Sequence, residues 1–369
     1  MTPLSGLKVV ELARILAGPW IGQSLADLGA EVVKVESPAG DDTRRWGPPF
    51  IERDGDKTAA YYYAANRGKH CVTADFRTEE GRAAVIELVR GADILIENFK
   101  VGGLAKYGLD YASLAKVNPR LIYCSVTGFG QDGPYAQRAG YDFLLQGMSG
   151  LMSITGEPGG QPQKVGVAIT DIVTGLYGTI GILAAVQQRH ATGRGQHLDM
   201  SLQDCATALL ANQAMNYLAT GESPSRMGND HPNIAPYQVM QVSDGHVILA
   251  VGNDGQFRRL CDVLGLPGLK DDARFTSNQL RVANREALTT VLSGVLSGWR
   301  RDALLAALEE ATVPAGPINT IGQAFDDPQI RHRGMQIAPE GVPGVRGPWT
   351  FSGAELALEK SAPTLPGND

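Results

Sequence analysis

Thr170 and Asp171 stand immediately before the apolar stretch 172–186, which puts a carboxylate where a helix is expected to begin. Free N–H groups and the positive end of the helix favour an anion there, so Asp171 is expected to be ionised. A carboxylate held in this way is a nucleophile toward an activated carbonyl. The stretch IVTGLYGTIGILAAV carries Gly175, Gly178 and Gly181 at three-residue spacing, leaving one helical face nearly bare for close approach of a backbone or a ligand. An aspartate before a helix is also an ordinary N-cap. The rest of the chain has to decide between the two roles.

The elements that would position Asp171 alternate. Strands are predicted at 8–12, 31–36, 70–75, 93–97 and 121–126, with helical stretches between them at 19–28 and 79–89. This repetition predicts an α/β fold: a Rossmann-like large domain whose mostly parallel sheet is covered on both faces, with ligands at the carboxyl ends of its strands. The loop after the first strand, ARILAGPW, has no G-x-G-x-x-G, which removes the main support for an NAD or FAD site. After a strand at 197–202 and a helical stretch comes a turn-rich segment, GESPSRMGNDHPNIAPYQ. A hairpin at 237–251 around Ser243-Asp244-Gly245 and two amphipathic helices, 284–299 and 302–311, follow it. The predicted division is 1–226 for the large domain, 227–312 for a smaller α+β domain, and 313–369 for a return to the large one.

Composition fits an ordinary soluble enzyme with a large core, as 369 residues at 43% hydrophobic content allow. The four cysteines are scattered and the histidines lie at no ligand spacing, so neither a metal site nor a disulfide framework is expected and a reducing, cytoplasmic setting is. No signal peptide is read at the N-terminus, and the longest apolar run, near fifteen residues, is short for a membrane span and reads as a buried helix. A net charge of −6 argues against nucleic acid or acidic membranes as partners. Against that acidic whole, Arg44, Arg45, Arg67, Lys69, Arg77, Lys100 and Lys106 fall mostly near predicted strand ends, as either a solvated surface or a binding site for phosphates requires.

Sequence blocks narrow this further. KVGVAITDIVTGLYGTIGILAAVQQRHATGRGQHLDMSL resembles the aspartate-bearing segment of the family III CoA-transferases, the CaiB/BaiF group. The opening LSGLKVVELARILAGPWIGQSLADLGAEVVKVESPAGDDTRRWGPPF resembles that family's N-terminus, and YYYAANRGKHCVTADF, DILIENFKVGGLAKYGL, LIYCSVTGFGQDGPYAQRAGYD and VPAGPIN follow in the family's order. The resemblance implies CoA transfer through Asp171, with acyl-CoA and a free carboxylic acid as substrates, no tightly bound cofactor, and a homodimer of two interlinked ring-like protomers. It assigns CoA binding to Leu16 and Ala17, to Ala74, Asp75, Phe76 and Arg77, to Asn98, Phe99 and Lys100, to Lys106, and to Thr127, Gly128, Phe129 and Gly130. Ser37 and Thr127 stand where some relatives have arginine and lysine, and Arg44 is expected to supply the missing charge. Trp46 and Tyr61 match aromatic positions near the pantetheine or the active centre, and Gly228 to Pro236, with His231, match the general position of a glycine-rich lid.

Two other activities are open. An α-methylacyl-CoA racemase shares the aspartate but needs a second acid/base, a histidine in G-H-D; here Gly140-Tyr141-Asp142 carries tyrosine, a poor replacement for imidazole near neutral pH. A non-catalytic acyl-CoA-binding protein would not need Asp171. Within the family, the blocks TRRWGPPF, SGLMSITGEPGG, IAPYQ and GNDGQF resemble the branch that uses succinyl-CoA and glutarate, so a dicarboxylate acceptor is expected. A second carboxylate calls for a cation beyond the reacting end. Arg138 is the first candidate and Arg45 the second.

Overall fold

The computed structural model describes residues 1–53 and 55–366. Six strands form one all-parallel sheet: β1 (Lys8–Glu11), β2 (Glu31–Glu36), β3 (His70–Thr73), β4 (Ile94–Glu97), β5 (Ile122–Thr127) and β6 (His197–Ser201). Their order across the sheet is β3-β2-β1-β4-β5-β6. The strand sequences are short runs rich in Val, Ile and Leu because both faces are covered, and successive residues serve opposite layers. Val9 points into a core with Ile21, Leu25, Ile94, Ile122 and Ile182, whereas its neighbour Val10 joins Val85, Val89, Leu95, Leu114 and Tyr123 on the other face.

Helices α1 (Ala17–Asp27), α2 (Glu79–Arg90), α3 (Tyr111–Val117), α4 (Asp142–Met148) and α5 (Ile169–Thr192) supply these layers. Helix α5 has 24 residues, long and apolar enough to cross a membrane by length and composition, where a run near fifteen was expected. Gly193, in the left-handed conformation at φ 70°, ends it. Its glycine face is filled from within the fold: a Cβ on Gly175 would meet Trp20 of α1 at 2.8 Å, and one on Gly181 would meet Leu198 of β6 at 2.8 Å. The bare face therefore receives protein side chains.

Beneath the carboxyl end of β1 lies a cluster of buried charge. Lys34 Nζ contacts Glu11 Oε1 at 3.1 Å and Asp41 Oδ2 at 3.1 Å and donates to the Ala13 carbonyl, with all three charged side chains inaccessible or nearly so. Lys69 Nζ contacts Glu11 Oε2 at 2.8 Å and donates to Asn66 and to the Pro19 carbonyl. Burial alone would lower the Lys34 pKa, but Glu11, Asp41 and Glu36 more than offset it and the pKa is raised. Lys69 is pushed down to about 8, with burial the larger cause. The expectation that the basic residues of this stretch serve a ligand is therefore corrected for three of them. Lys69 belongs to this cluster, Arg67 pairs with Asp27 at 2.5 Å, and Arg44 is engaged with Glu36; all three are buried.

Compact units divide the chain at other points than the sequence suggested. One holds 1–152, 164–223 and 328–369, the other 153–163 and 224–327. The second is built on an antiparallel sheet in which β7 (Tyr237–Val242) and β8 (Gly245–Ala250) form the expected hairpin and β9 (Ala315–Pro317) pairs with β8. Its core joins Met240, Val247 and Leu249 to Phe257, Leu260, Leu288, Leu292 and Leu304 from three helices. The small strand 315–317 keeps the chain in this unit past residue 312.

Candidate active site

In the strand order β3-β2-β1-β4-β5-β6 the chain reverses direction of growth between β1 and β4, the point at which open α/β sheets form a crevice at the carboxyl ends of their strands. A cleft of about 280 Å³ occupies that point. Arg14, Ile15, Leu16 and Ala17 line it after β1, Asn98, Phe99 and Lys100 after β4, and Thr127 and Gly128 after β5. Arg138, Tyr141 and Asp171 complete it. Residues 14–17 and 98–100 are clamped together, since the Arg14 N–H donates to Asn98 Oδ1 at 2.9 Å and Asn98 Nδ2 donates to the Arg14 carbonyl at 2.6 Å. Gly128 and Gly140 touch backbone to backbone; a Cβ on Gly128 would lie 2.6 Å from the Gly140 Cα, which is why neither position has a side chain.

Asp171 sits in the first turn of α5 rather than ahead of it, because the helix starts at Ile169. The cap comes from a distance: Asp142 Oδ1 accepts from the Thr170 N–H at 2.8 Å, and its Oδ2 accepts from Gln146 Nε2 at 2.8 Å. Gln146, wholly buried, accepts in turn from the Val165 N–H. The expectation that the helix end keeps Asp171 ionised is corrected. Burial first, and the Asp142 charge second, push its pKa up to about 7. A helix terminus is worth at most about 2 kcal/mol to an anion, which desolvation exceeds here. Tyr61 reports the same field: burial, then Asp171, Asp142 and Asp41, raise its pKa to about 12. Its ring packs edge-on against half-exposed Trp46 with centroids 5.3 Å apart.

Arg138 is exposed, its guanidinium lies 3.9 Å over the Tyr135 ring, and among the described residues no carboxylate pairs with it. It does not form the structural salt bridge such an arginine often makes. Arg45 is bonded to Asp42 and to the Ala39 carbonyl. Arg44 is corrected as a phosphate ligand, since Nε and Nη2 both grip the Glu36 carboxylate at 2.8 Å and Nη2 reaches the Tyr62 hydroxyl. Beyond the cleft, Phe76 packs edge-on against Phe99 and Tyr107, and Lys106 Nζ lies 4.8 Å over the Tyr107 ring. Arg77 is tied to Asp75 on the surface, and Ala74 belongs to the core. Gly130, at φ 88°, donates to Thr127 Oγ1, and Phe129 packs on Tyr135.

Gly228 and His231 lie in the second unit. The Gly228 N–H bonds to the Gly156 carbonyl, and His231 Nδ1 accepts from the Asn233 N–H while its ring packs on Tyr237. Arg285 holds the carbonyls of His231, Pro232 and Ile234. Sequence reasoning missed Arg285, Tyr107, Ile15 and the part played by Asp142. For Asp142, the tyrosine-aspartate pair of Gly140-Tyr141-Asp142 was the available signal.

A parallel sheet with an acidic residue at the first turn of a helix, aromatic and cationic groups at strand ends, and a crevice between β1 and β4 are features of an enzyme handling a nucleotide-bearing thioester. The chain belongs to CoA-transferase family III, whose model matches residues 4–369, and it is therefore a CoA-transferase acting on CoA thioesters. It is 56% identical over 371 residues, 98% of this chain and 93% of the relative, to a succinate–glutarate CoA-transferase of Agrobacterium fabrum. An acetyl-CoA:oxalate CoA-transferase of Acetobacter aceti is 41% identical over 366 residues, 98% of this chain and 93% of the relative. Among solved structures, a CaiB/BaiF family protein from Brucella suis is 63% identical with a TM-score of 0.90, covering 99% of this chain and 96% of its own.

Two predictions follow from the pKa of Asp171. The value of kcat/KM should rise with pH through an apparent pKa of about 7, and Asp142→Asn should move that acidic limb to lower pH by removing a like charge. A profile unmoved by the substitution would mean that Asp171 does not feel Asp142.

Stability should carry the opposite sign. The folded pKa of about 7 lies above the ordinary 3.8, so the protonated form favours the fold. That contribution is fully present below about pH 4 and is lost as pH rises through about 7, a cost on the order of 4 kcal/mol. Asp171→Asn is expected to exceed the parent in Tm at pH 8, with the gap narrowing toward pH 5. Calorimetry at both values is the check.

Proposed function

We propose that this CoA-transferase takes CoA from succinyl-CoA and gives it to a dicarboxylate of four to six carbons such as glutarate, through Asp171. The observation that carries this reading is one cleft lined by both the Asp171 carboxylate and the unpaired Arg138 guanidinium. The names of the Agrobacterium and Acetobacter relatives support CoA transfer to a diacid. Ionised Asp171 attacks the thioester carbonyl; the C–S bond breaks and the CoA thiolate leaves, giving a mixed anhydride between Asp171 and the acyl group. The thiolate attacks the aspartyl carbonyl, releasing succinate and leaving an aspartyl-CoA thioester. The acceptor carboxylate attacks that thioester, the thiolate leaves again, and its attack on the acceptor's acyl carbon frees Asp171 and the new acyl-CoA. Every bond broken is balanced by one formed.

Unlike Arg44, the residues Arg14, Lys100 and Lys106 and the Phe76, Phe99 and Tyr107 rings remain suited to the phosphates and adenine of CoA. Water has to be kept from Asp171 throughout, because both of its activated forms hydrolyse. Tyr141 lies at the cleft where a racemase would need imidazole, which favours transfer. The reading includes a cytoplasmic enzyme with no tightly bound cofactor, and the four free thiols suit a reducing compartment.

Incubation with succinyl-CoA should give a CoA-mass adduct on Asp171 that borohydride reduces, and Asp171→Asn should form none. Crossing several acyl-CoAs with mono- and dicarboxylic acids, oxalate included, should show preference for the longer diacids. Arg138→Met should raise KM for the diacid roughly tenfold, the size of a lost charge-assisted contact, and leave a monocarboxylate of equal length unaffected. Equal use of monocarboxylates by the parent would remove both the anchor and the diacid preference.

We also propose an interlinked homodimer. Phe143 of α4, Leu176, Tyr177 and Ile180 of α5, and Met215, Tyr217 and Leu218 on helix α6 (Ala211–Thr220) expose large apolar surfaces, with Leu218 71% and Ile180 61% accessible. Surfaces of this kind mark association sites. Size-exclusion with light scattering should give twice the chain mass down to nanomolar loading. A monomer at any concentration would end this reading.

A further inference from the structure

Ile15 is a β-branched residue in the left-handed region, with φ 72°, in the loop that carries the chain from β1 into α1. Such a residue seldom adopts this conformation unless its surroundings impose it. Here the imposing group is Asp41. Its carboxylate accepts from the Ile15 N–H with both oxygens, at 3.4 and 3.3 Å, while Oδ1 also accepts from the N–H and hydroxyl of Thr43. Oδ2 faces Lys34 Nζ at 3.1 Å, and Asp41 itself is fixed by its own N–H donating to Glu36 Oε2 at 2.6 Å.

Asp41 is 1% exposed and does not line the cleft; Ile15, Leu16 and Ala17 do. Leu16, the N-cap of α1, makes no side-chain cap, so the first-turn N–H groups of that helix are not answered by a capping side chain. The direction in which they point depends on how the chain turns at Ile15. The Arg14–Asn98 clamp secures the loop on the far side of that turn, which leaves Asp41 as the charged group acting on the turn itself.

We propose that Asp41 is a positioning residue for the transfer reaction: held by Lys34, it keeps Ile15 in the left-handed turn that opens the first turn of α1 toward the cleft of Asp171. Its effect on activity rests on the reading of Asp171 as the transferring residue. The turn needs a group to hold it only because residue 15 has a side chain, since glycine takes the same turn without being forced; the pairing of Asp41 with Lys34 is a separate demand on the carboxylate.

The experiment uses full-length protein as Asp41→Asn, Ile15→Gly and the double variant, each checked by Tm. Asp41→Asn should lose roughly tenfold in kcat/KM, the scale of a weakened charge-assisted hydrogen bond, and its peptide around residues 12–18 should exchange amide hydrogen faster by mass spectrometry. The double variant should come back to within about threefold of Ile15→Gly, because glycine removes the demand on Asp41. A merely structural Asp41 gives no rescue: the double variant would then be as impaired as Asp41→Asn, which overturns the proposal, as does unchanged exchange in Asp41→Asn. Should the parent itself transfer no CoA, the transfer reading fails, and the exchange arm decides by itself whether Asp41 holds the turn.

Discussion

Glu11 shared between two ammonium groups, with no water in reach, is the interaction on which the working end of the sheet depends. Through Lys34 it is tied to β2, the Ala13 carbonyl and Asp41, and through Lys69 to Asn66 and the first turn of α1 at Pro19. A side chain on Gly22 of α1 would run into the Glu11 carboxyl carbon at 3.0 Å, so the helix must be bare where the cluster passes beneath it. Replacing such an arrangement with well-packed apolar residues often costs nothing, whereas removing one member leaves a buried unpaired charge at about 3–5 kcal/mol. The cluster is thus a poor source of net stability and a strict source of geometry. It fixes where β1 ends.

Asp171 illustrates the conflict that meets a desolvated carboxylate at the start of a helix. The helix terminus and its N–H groups favour the anion, yet one of those N–H groups is taken by Asp142, so the neighbour that caps the helix also repels a charge on Asp171. Gln146 anchors Asp142, which leaves Asp142 no freedom to turn away. An exposed aspartate would be ionised at neutral pH and heavily hydrated. A desolvated one is a stronger nucleophile when it does ionise, because less water must be stripped from it.

Local pattern carried much of this. Runs such as VVEL, ILIE and IYCSV are legible as buried parallel strands because period, composition and bounding turns agree, and β2 was expected with its observed bounds. Family membership was legible through a specific run of sequence blocks, while the protonation of Asp171 was not, since burial and the distant carboxylate of Asp142 have no local signature. Arg44, Arg67 and Lys69 were misjudged for the same reason. A cation near a strand end looks alike in sequence whether it faces solvent or, like Arg44, a glutamate eight positions earlier. The assignment of 153–163 to the second unit also depends on long-range contacts.

The hydropathy of α5 has a bearing on how the chain is made. A 24-residue segment that meets the length and apolarity of a membrane span is a hazard to a polypeptide emerging into water, where it can be taken for an anchor or can associate with other nascent chains. Synthesis order reduces the interval of exposure. The receiving groove, Trp20 and Ile21 on α1, is made long before Gly175 and Gly178 leave the ribosome, and Leu198, which covers Gly181, follows within a few residues of the helix's end. The three glycines thus give this long apolar helix a shape that fits elements made before it and just after it.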